Sequence, residues 1–190
     1  VRYIVQKKAD GQKSWTYPVW ENESNFKLIF EDEKYQVFDN LMVLPRTFAV
    51  NKYKVIKGKE KIIEEIYKDG TDLRNEVILP EEPKLNIEED SNPQVSIVSY
   101  TPNLVRIVAL TDKDSILVLT DPYYPGWRAF IDNEKTEILR VDHAFRAVEL
   151  PKGKHNVTFI YSPVSVKLGF ILSIAGALGI LGLIPLNKKI

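Results

Sequence analysis

The densest run of residues able to do chemistry is Asp121-Pro122-Tyr123-Tyr124-Pro125-Gly126-Trp127-Arg128. Prolines and a glycine make this a rigid turn, and an exposed Tyr123, Tyr124 or Trp127 could stack on a sugar ring while Arg128 donates hydrogen bonds to it. The plainer reading, which the residue types favour, has Trp127 plugging a β-sandwich while Pro125-Gly126 turns its corner. Arg146, between Phe145 and Ala147, could reach a phosphate, but a cross-strand pair on a solvated face with Glu149 or Asp142 is the expectation. Asp112-Lys113-Asp114 matches the loose D-x-D pattern with which sugar-transferring enzymes hold a metal and a nucleotide diphosphate. It falls between two strands, where Asp is favoured for turn hydrogen bonds, so a turn is expected instead. His143 and His155 lie on separate strands without metal-ligand spacing, and Gly58-Lys59-Glu60 lacks the rest of a phosphate-binding loop. The sequence therefore assigns no catalytic residue, no metal site and no cofactor.

Positioning such residues falls to a mainly β fold. Val1 to Val5 suits a strand, and after a polar stretch, Lys7 to Ser24, the residues Phe26, Leu28 and Phe30 alternate on one face. Glu31-Asp32-Glu33 then turns the chain into a return strand through Tyr35 and Val37. Asn40 to Pro45 breaks the pattern, Thr47 to Tyr53 reads as a strand, and Lys59 to Tyr67 as a short helix followed by Gly70. Glu76 to Leu79 is a brief strand. The acidic, proline-rich stretch 81–93 reads as a linker or seam between an α+β part, 1–80, and a β-sandwich part, 94–163.

Within the second part Val95 and Ile97 alternate, Pro102-Asn103 turns, and Val105, Ile107 and Ala109 return. Ile116 to Leu119 is apolar on both faces, as befits a central strand covered on both sides. Trp127 to Ile131 and Thr136 to Val141 flank the turn Asp132-Asn133-Glu134-Lys135, and Ala144 to Leu150 is expected to pair with His155 to Tyr161 across Pro151-Lys152-Gly153-Lys154. An antiparallel β-sandwich follows from short strands and turn signals at this spacing.

Composition narrows the function classes. Residues 1–163 hold 26 acidic and 23 basic residues, a formal net charge of −3, which leaves no electrostatic footprint for nucleic acid. Cysteine is absent, excluding disulfides, thiol catalysis and thiolate metal sites. The uncharged stretch Leu168 to Pro185, bracketed by Lys167 and by Lys188-Lys189, reads as a transmembrane helix within 168–186, with the lipid bilayer as its partner. Its 18 residues at about 1.5 Å each would span roughly 27 Å. The chain opens on Val1 without a signal-peptide pattern and its only methionine is Met42, so it is read as a C-terminal fragment. Lysine counts on the two sides of the span do not decide topology. A C-tail anchor with a cytosolic domain stays open on charge alone.

Three longer segments, FDNLMVLPRTFAV (Phe38 to Val50), LTDPYYPGWRAFID (Leu119 to Asp132) and AFRAVELPKGKHNVTFIYSP (Ala144 to Pro163), precede the hydrophobic tail. Their combination of Leu-Pro-Arg, Tyr-Pro-Gly-Trp and Gly-Lys-His resembles the C-terminal region of the YfhO family of bacterial polytopic membrane proteins. The resemblance implies a large multispanning protein similar to GT-C glycosyltransferases, which draw sugar from polyprenyl-phosphate donors to decorate envelope polymers such as lipoteichoic acid. It places the domain before Lys167 outside the cytoplasm with the C-terminus inside, and puts the catalytic carboxylate upstream of this chain. The partners it implies are the upstream transmembrane domain of the same protein and an envelope glycan or polyprenyl-phosphate sugar. The fragment then acts as an accessory that orients acceptor; the competing class is a non-catalytic, membrane-anchored glycan-binding or structural module. Tyr123, Tyr124, Trp127 and Arg128 are the candidate glycan contacts in either case.

Overall fold

A computed structural model of the chain describes residues 2–8, 25–68, 70–89 and 91–183, with side chains as far as residue 180. The chain divides into two compact units, Val1–Pro45 and Arg46–Ile190. The division falls at Pro45/Arg46 and not at 81–93, because residues just after Arg46 are drawn into the second unit's sheets by strand pairing.

The first unit is a three-stranded antiparallel sheet of β1 (Tyr3–Lys7), β2 (Phe26–Glu31) and β3 (Tyr35–Asn40), with β3 in the middle. The predicted β2–β3 hairpin forms. Asp32 makes its turn by accepting the backbone N–H groups of Lys34 and Tyr35, and a bulge interrupts the register between Leu28 and Phe30. The polar stretch expected from Lys7 to Ser24 lies almost wholly outside the described residues.

The second unit is a sandwich. One sheet has five strands in the order β11 (Glu134–Thr136), β10 (Trp127–Ile131), β14 (Gly153–Tyr161), β8 (Leu104–Thr111), β7 (Gln94–Thr101). The other has four: β12 (Leu139–Val141), β13 (Phe145–Leu150), β9 (Ser115–Pro122), β4 (Thr47–Val50). Alternating residues Val105, Ile107 and Ala109 of β8 and Val157 and Phe159 of β14 meet Leu117, Leu119, Val148 and Leu150 from the facing sheet in the core. The second face of the four-stranded sheet is also covered. Ile116, Val118 and Ala147 lie under Val77 and Leu79 of β6 (Val77–Leu79), which pairs in parallel with β5 (Tyr53–Val55). Ile116 to Leu119 is thus fully buried on both faces, as its unbroken apolar run implied. A short helix, α1 (Lys59–Ile66), connects β5 to β6 and buries Ile62.

Two expected pairings are replaced. Ala144 to Leu150 does not pair with His155 to Tyr161: β13 joins β9 in one sheet, and β14 joins β8 and β10 in the other. The reason lies in two connections that cross the sandwich side by side. Residues 112–114 link β8 to β9, and Pro151-Lys152 links β13 to β14, so Leu150 faces Ser115 while Gly153 faces Thr111. The Lys152 N–H donates to Asp114 Oδ1 at 2.8 Å, locking the two arches together. Nor does Thr136 to Val141 form one strand. After a tight turn at Asp132-Asn133, whose φ values of 50° and 71° match the right-handed twist of a hairpin, β11 ends at Thr136 and the chain changes sheets to become β12.

β14 runs through Tyr161-Ser162-Pro163 into α2 (Val164–Leu183), whose exposed side chains include Phe170, Ile171, Leu172, Leu178 and Ile180. The expected membrane span at 168–186 finds no support in length: among the described residues no helix is long and apolar enough to cross a membrane. The uncharged part with described side chains runs from Leu168 to Ile180, roughly 20 Å at helical rise, short of the hydrocarbon thickness.

Candidate functional site

One end of the sandwich gathers residues from four strands around Asp121. Its Oδ2 accepts Arg146 Nη2 from β13 at 2.9 Å, and its Oδ1 accepts Arg46 Nη1 at 2.9 Å. Arg46 sits immediately before β4 and also donates to the Tyr100 hydroxyl at 2.7 Å, which in turn donates to Asp121 at 3.1 Å. Burial, with the Asp121 charge adding to it, raises the Tyr100 phenol above its ordinary value.

Arg146 is the unusual member. Only 1% exposed, it is the largest fully buried side chain in the molecule's described part. Burial draws its guanidinium below the usual arginine range, and Asp121 works against that shift. The guanidinium carbon lies 3.7 Å from the centroid of Trp127 on the opposite sheet and 5.8 Å from that of Phe159. A desolvated stack of this kind contributes about 2 kcal/mol. Yet Nε and Nη1 find no acceptor among the described residues, and each buried donor left this way costs about 1–3 kcal/mol.

A shallow groove of about 410 Å³ opens beside this cluster, lined among others by Tyr100, Asp121, Tyr124, Trp127, Arg146 and Tyr161. Trp127 and Tyr161 stack at 5.3 Å with their planes tilted by 46°. A second groove of about 470 Å³ shares Tyr124, Trp127 and Tyr161 and reaches Arg128 and the first residues of α2, Val164 and Ser165. Gly126 makes the junction possible. Its φ of 102° suits glycine, its carbonyl accepts the Ser162 N–H, and a Cβ there would sit 2.9 Å from the Tyr161 ring and 3.0 Å from Pro163.

The structure therefore brings Tyr124, Trp127 and, in the second groove, Arg128 together, with Tyr124 exposed and Trp127 half-buried. Tyr123 is set apart. Its N–H donates to the Ala144 carbonyl at 2.6 Å, and its ring faces Arg140 at 6.0 Å. Arg146 does not pair with Glu149 or Asp142 on a solvated face. Glu149 accepts the Leu85 N–H, and Asp142, 4% exposed, accepts the Ile78 N–H. The partner is Asp121 on the next strand, because the strand's inward face puts Arg146 where only a buried carboxylate can balance it.

Sequence reasoning did not single out Arg46, Tyr100, Asp121 or Tyr161 as site residues. Arg46 closes the Leu-Pro-Arg motif and Asp121 opens the aromatic run, so two motifs 75 positions apart meet through one salt bridge. The remaining candidates are structural. Asp112 accepts Ser91 and Asp114 accepts Lys152, fixing the arch. His155 pairs with Asp132 at 2.6 Å. No metal-binding group of His, Cys, Asp and Glu occurs among the described residues.

Fold and site together define a β-sandwich module with an aromatic groove at the root of an apolar helix. The family model described as bacterial membrane protein YfhO matches residues 84–173, which run from just before β7 through the rest of the sandwich into the first half of α2. Over this segment, which contains the second and third of the three motifs, the chain is similar to the YfhO family of bacterial membrane proteins. No curated protein and no solved structure matches it.

Proposed function

We propose that the chain is the extracytoplasmic C-terminal module and last membrane span of a YfhO-like membrane protein, serving as an accessory part of a polyprenyl-phosphate-sugar-dependent glycosyltransferase that acts on cell-envelope polymers. The observation that carries this reading is the direct passage of β14 into α2 at the edge of the aromatic grooves, with Tyr124, Trp127 and Tyr161 shared between them. On this reading α2 lies at the bilayer and the grooves stand at the membrane surface. There they would hold an acceptor glycan by stacking on Tyr124 and Trp127, with Arg128 donating hydrogen bonds, and restrict its approach to an upstream membrane-embedded centre.

The contribution is positional. Among the described residues the groove has no paired carboxylates or activated nucleophile, so excluding water and orienting the acceptor are what this reading gives the module to add to turnover. A non-catalytic, membrane-anchored glycan-binding module is the second reading, favoured by that same lack of a reacting group at the groove. Two measurements on the full-length protein test the proposal. Trp127→Ala should weaken binding of envelope glycan by about 1–3 kcal/mol and reduce glycosyl transfer; weakened binding with no transfer activity in either protein supports the second reading. External protease on intact cells should cleave the domain, and full protection would overturn its extracytoplasmic placement.

A further inference from the structure

Resting on the reading of the groove as a saccharide platform, we infer that its ligand is an acidic saccharide, a sugar ring bearing a phosphate or carboxylate, and that Arg146 recognises the acidic group. The cluster holds two guanidinium groups, Arg46 and Arg146, on a single carboxylate, Asp121. Tyr100, the other titratable group in contact, is a neutral phenol held above its ordinary pKa. The site thus carries an excess positive charge between aromatic walls, where low dielectric strengthens attraction for an anion.

The hydrogen-bond pattern points the same way. Asp121 takes only Nη2 of Arg146, although a carboxylate can engage two nitrogens of the guanidinium fork at once. Nε and Nη1 are left without an acceptor on a side chain that is 2% exposed and forms part of the groove wall. A neutral sugar can supply hydroxyl oxygens to these donors but leaves the charge unbalanced. A phosphate or carboxylate on the ring answers both, while the ring itself stacks on Trp127 or Tyr124. Tyr124, 62% exposed, is the wall freest to turn aside and admit the group, since exposed side chains change rotamer within nanoseconds.

The test is calorimetric titration of the full chain in neutral detergent micelles with glucose 1-phosphate, glucuronate, methyl glucoside and inorganic phosphate. Glucose 1-phosphate and glucuronate should bind about tenfold or more tighter than methyl glucoside and than phosphate alone, with the preference falling as salt rises. Arg146→Gln should erase the preference between charged and neutral sugar. Tyr124→Ala, at an exposed position, should weaken every sugar about fivefold while keeping the preference for charged sugars; should Arg146→Gln not fold, the wild-type preference and its loss with salt decide the test. Equal affinity for charged and neutral sugars overturns the inference while leaving the saccharide platform standing. Failure of the folded wild-type chain to bind any sugar overturns both. Phosphate binding as tight as glucose 1-phosphate, or displacement of it by phosphatidylglycerol micelles, would make this an anion or lipid-headgroup site and overturn the inference as well.

Discussion

The guanidinium of Arg146, on the four-stranded sheet, lies 3.7 Å from the ring centroid of Trp127, on the five-stranded sheet. The contact spans the two layers at the end of the sandwich that leads into α2. It holds the inner wall of the groove by a cation stacked on an indole, with Asp121 behind the cation. A groove wall built this way is rigid, because moving either partner strands a buried charge or opens the core.

Removal of one partner of this pair should be costly, and removal of its exposed counterpart should not. Arg146→Ala leaves Asp121 partly uncompensated and a void beside Trp127 and Phe159, and should destabilise the chain by about 3–5 kcal/mol. Arg46, whose side chain is 55% exposed, should cost less than about 1 kcal/mol on the same substitution. Chemical denaturation followed by circular dichroism distinguishes the two. Similar values for both would mean that Arg146 is not energetically central.

Glycine substitutions should separate backbone strain from steric conflict. Gly58 and Gly126 have nearly the same φ, 98° and 102°, but an added Cβ meets nothing within 4 Å at Gly58 and the Tyr161 ring at 2.9 Å at Gly126. Gly58→Ala should cost about 1 kcal/mol from conformation alone. Gly126→Ala should cost about 2 kcal/mol more, as overpacking does, and shift the Trp127 fluorescence because Tyr161 must move. Equal melting temperatures for the two variants would contradict the packing described at the foot of α2.

Stability should fall as pH rises through the range set by Asp142. Burial raises this carboxyl to about 6, with the Ile78 N–H opposing the shift, and Oδ2 has no partner among the described residues. A folded-state value above the unfolded one means the native chain holds the extra proton between about pH 4 and 6. The stabilisation is therefore complete below the unfolded pKa and is lost as pH rises through the folded pKa, by on the order of 2–3 kcal/mol. Carboxylates lowered by hydrogen bonds, Asp132 and Asp112 among them, act in the opposite sense, but only as pH falls below the ordinary carboxylate range. Urea unfolding at pH 4.5 and pH 7 should show the difference, and Asp142→Asn should flatten it. An Asp142→Asn profile that keeps the wild-type difference between pH 4.5 and 7 would rule the effect out.

What lay open in the residues was whatever neighbours decide. Alternation of Val105, Ile107 and Ala109 identified β8 and its core face, and the two-sided apolar run Ile116 to Leu119 identified the central strand β9. Asp132-Asn133 marked a hairpin turn because its chemistry is contained in adjacent positions. The aromatic run 121–128 stood out for the same reason, and the two motifs at 119–132 and 144–163 carried the likeness to the family that the match over 84–173 shows. Tertiary structure alone decided which strands share a sheet. β13 and β14 are separated by two residues and look like a hairpin, yet they lie in opposite layers because the β8–β9 arch beside them crosses the sandwich at the same level and Asp114 binds Lys152. The partner of Arg146 was hidden likewise. A buried charge takes whichever carboxylate the packed sheets bring within reach, and for Arg146 that carboxylate lies 25 positions back along the chain. Local pattern sets the secondary elements, but the free energy of closing two sheets over one core chooses their neighbours, and no stretch of adjacent residues contains that sum.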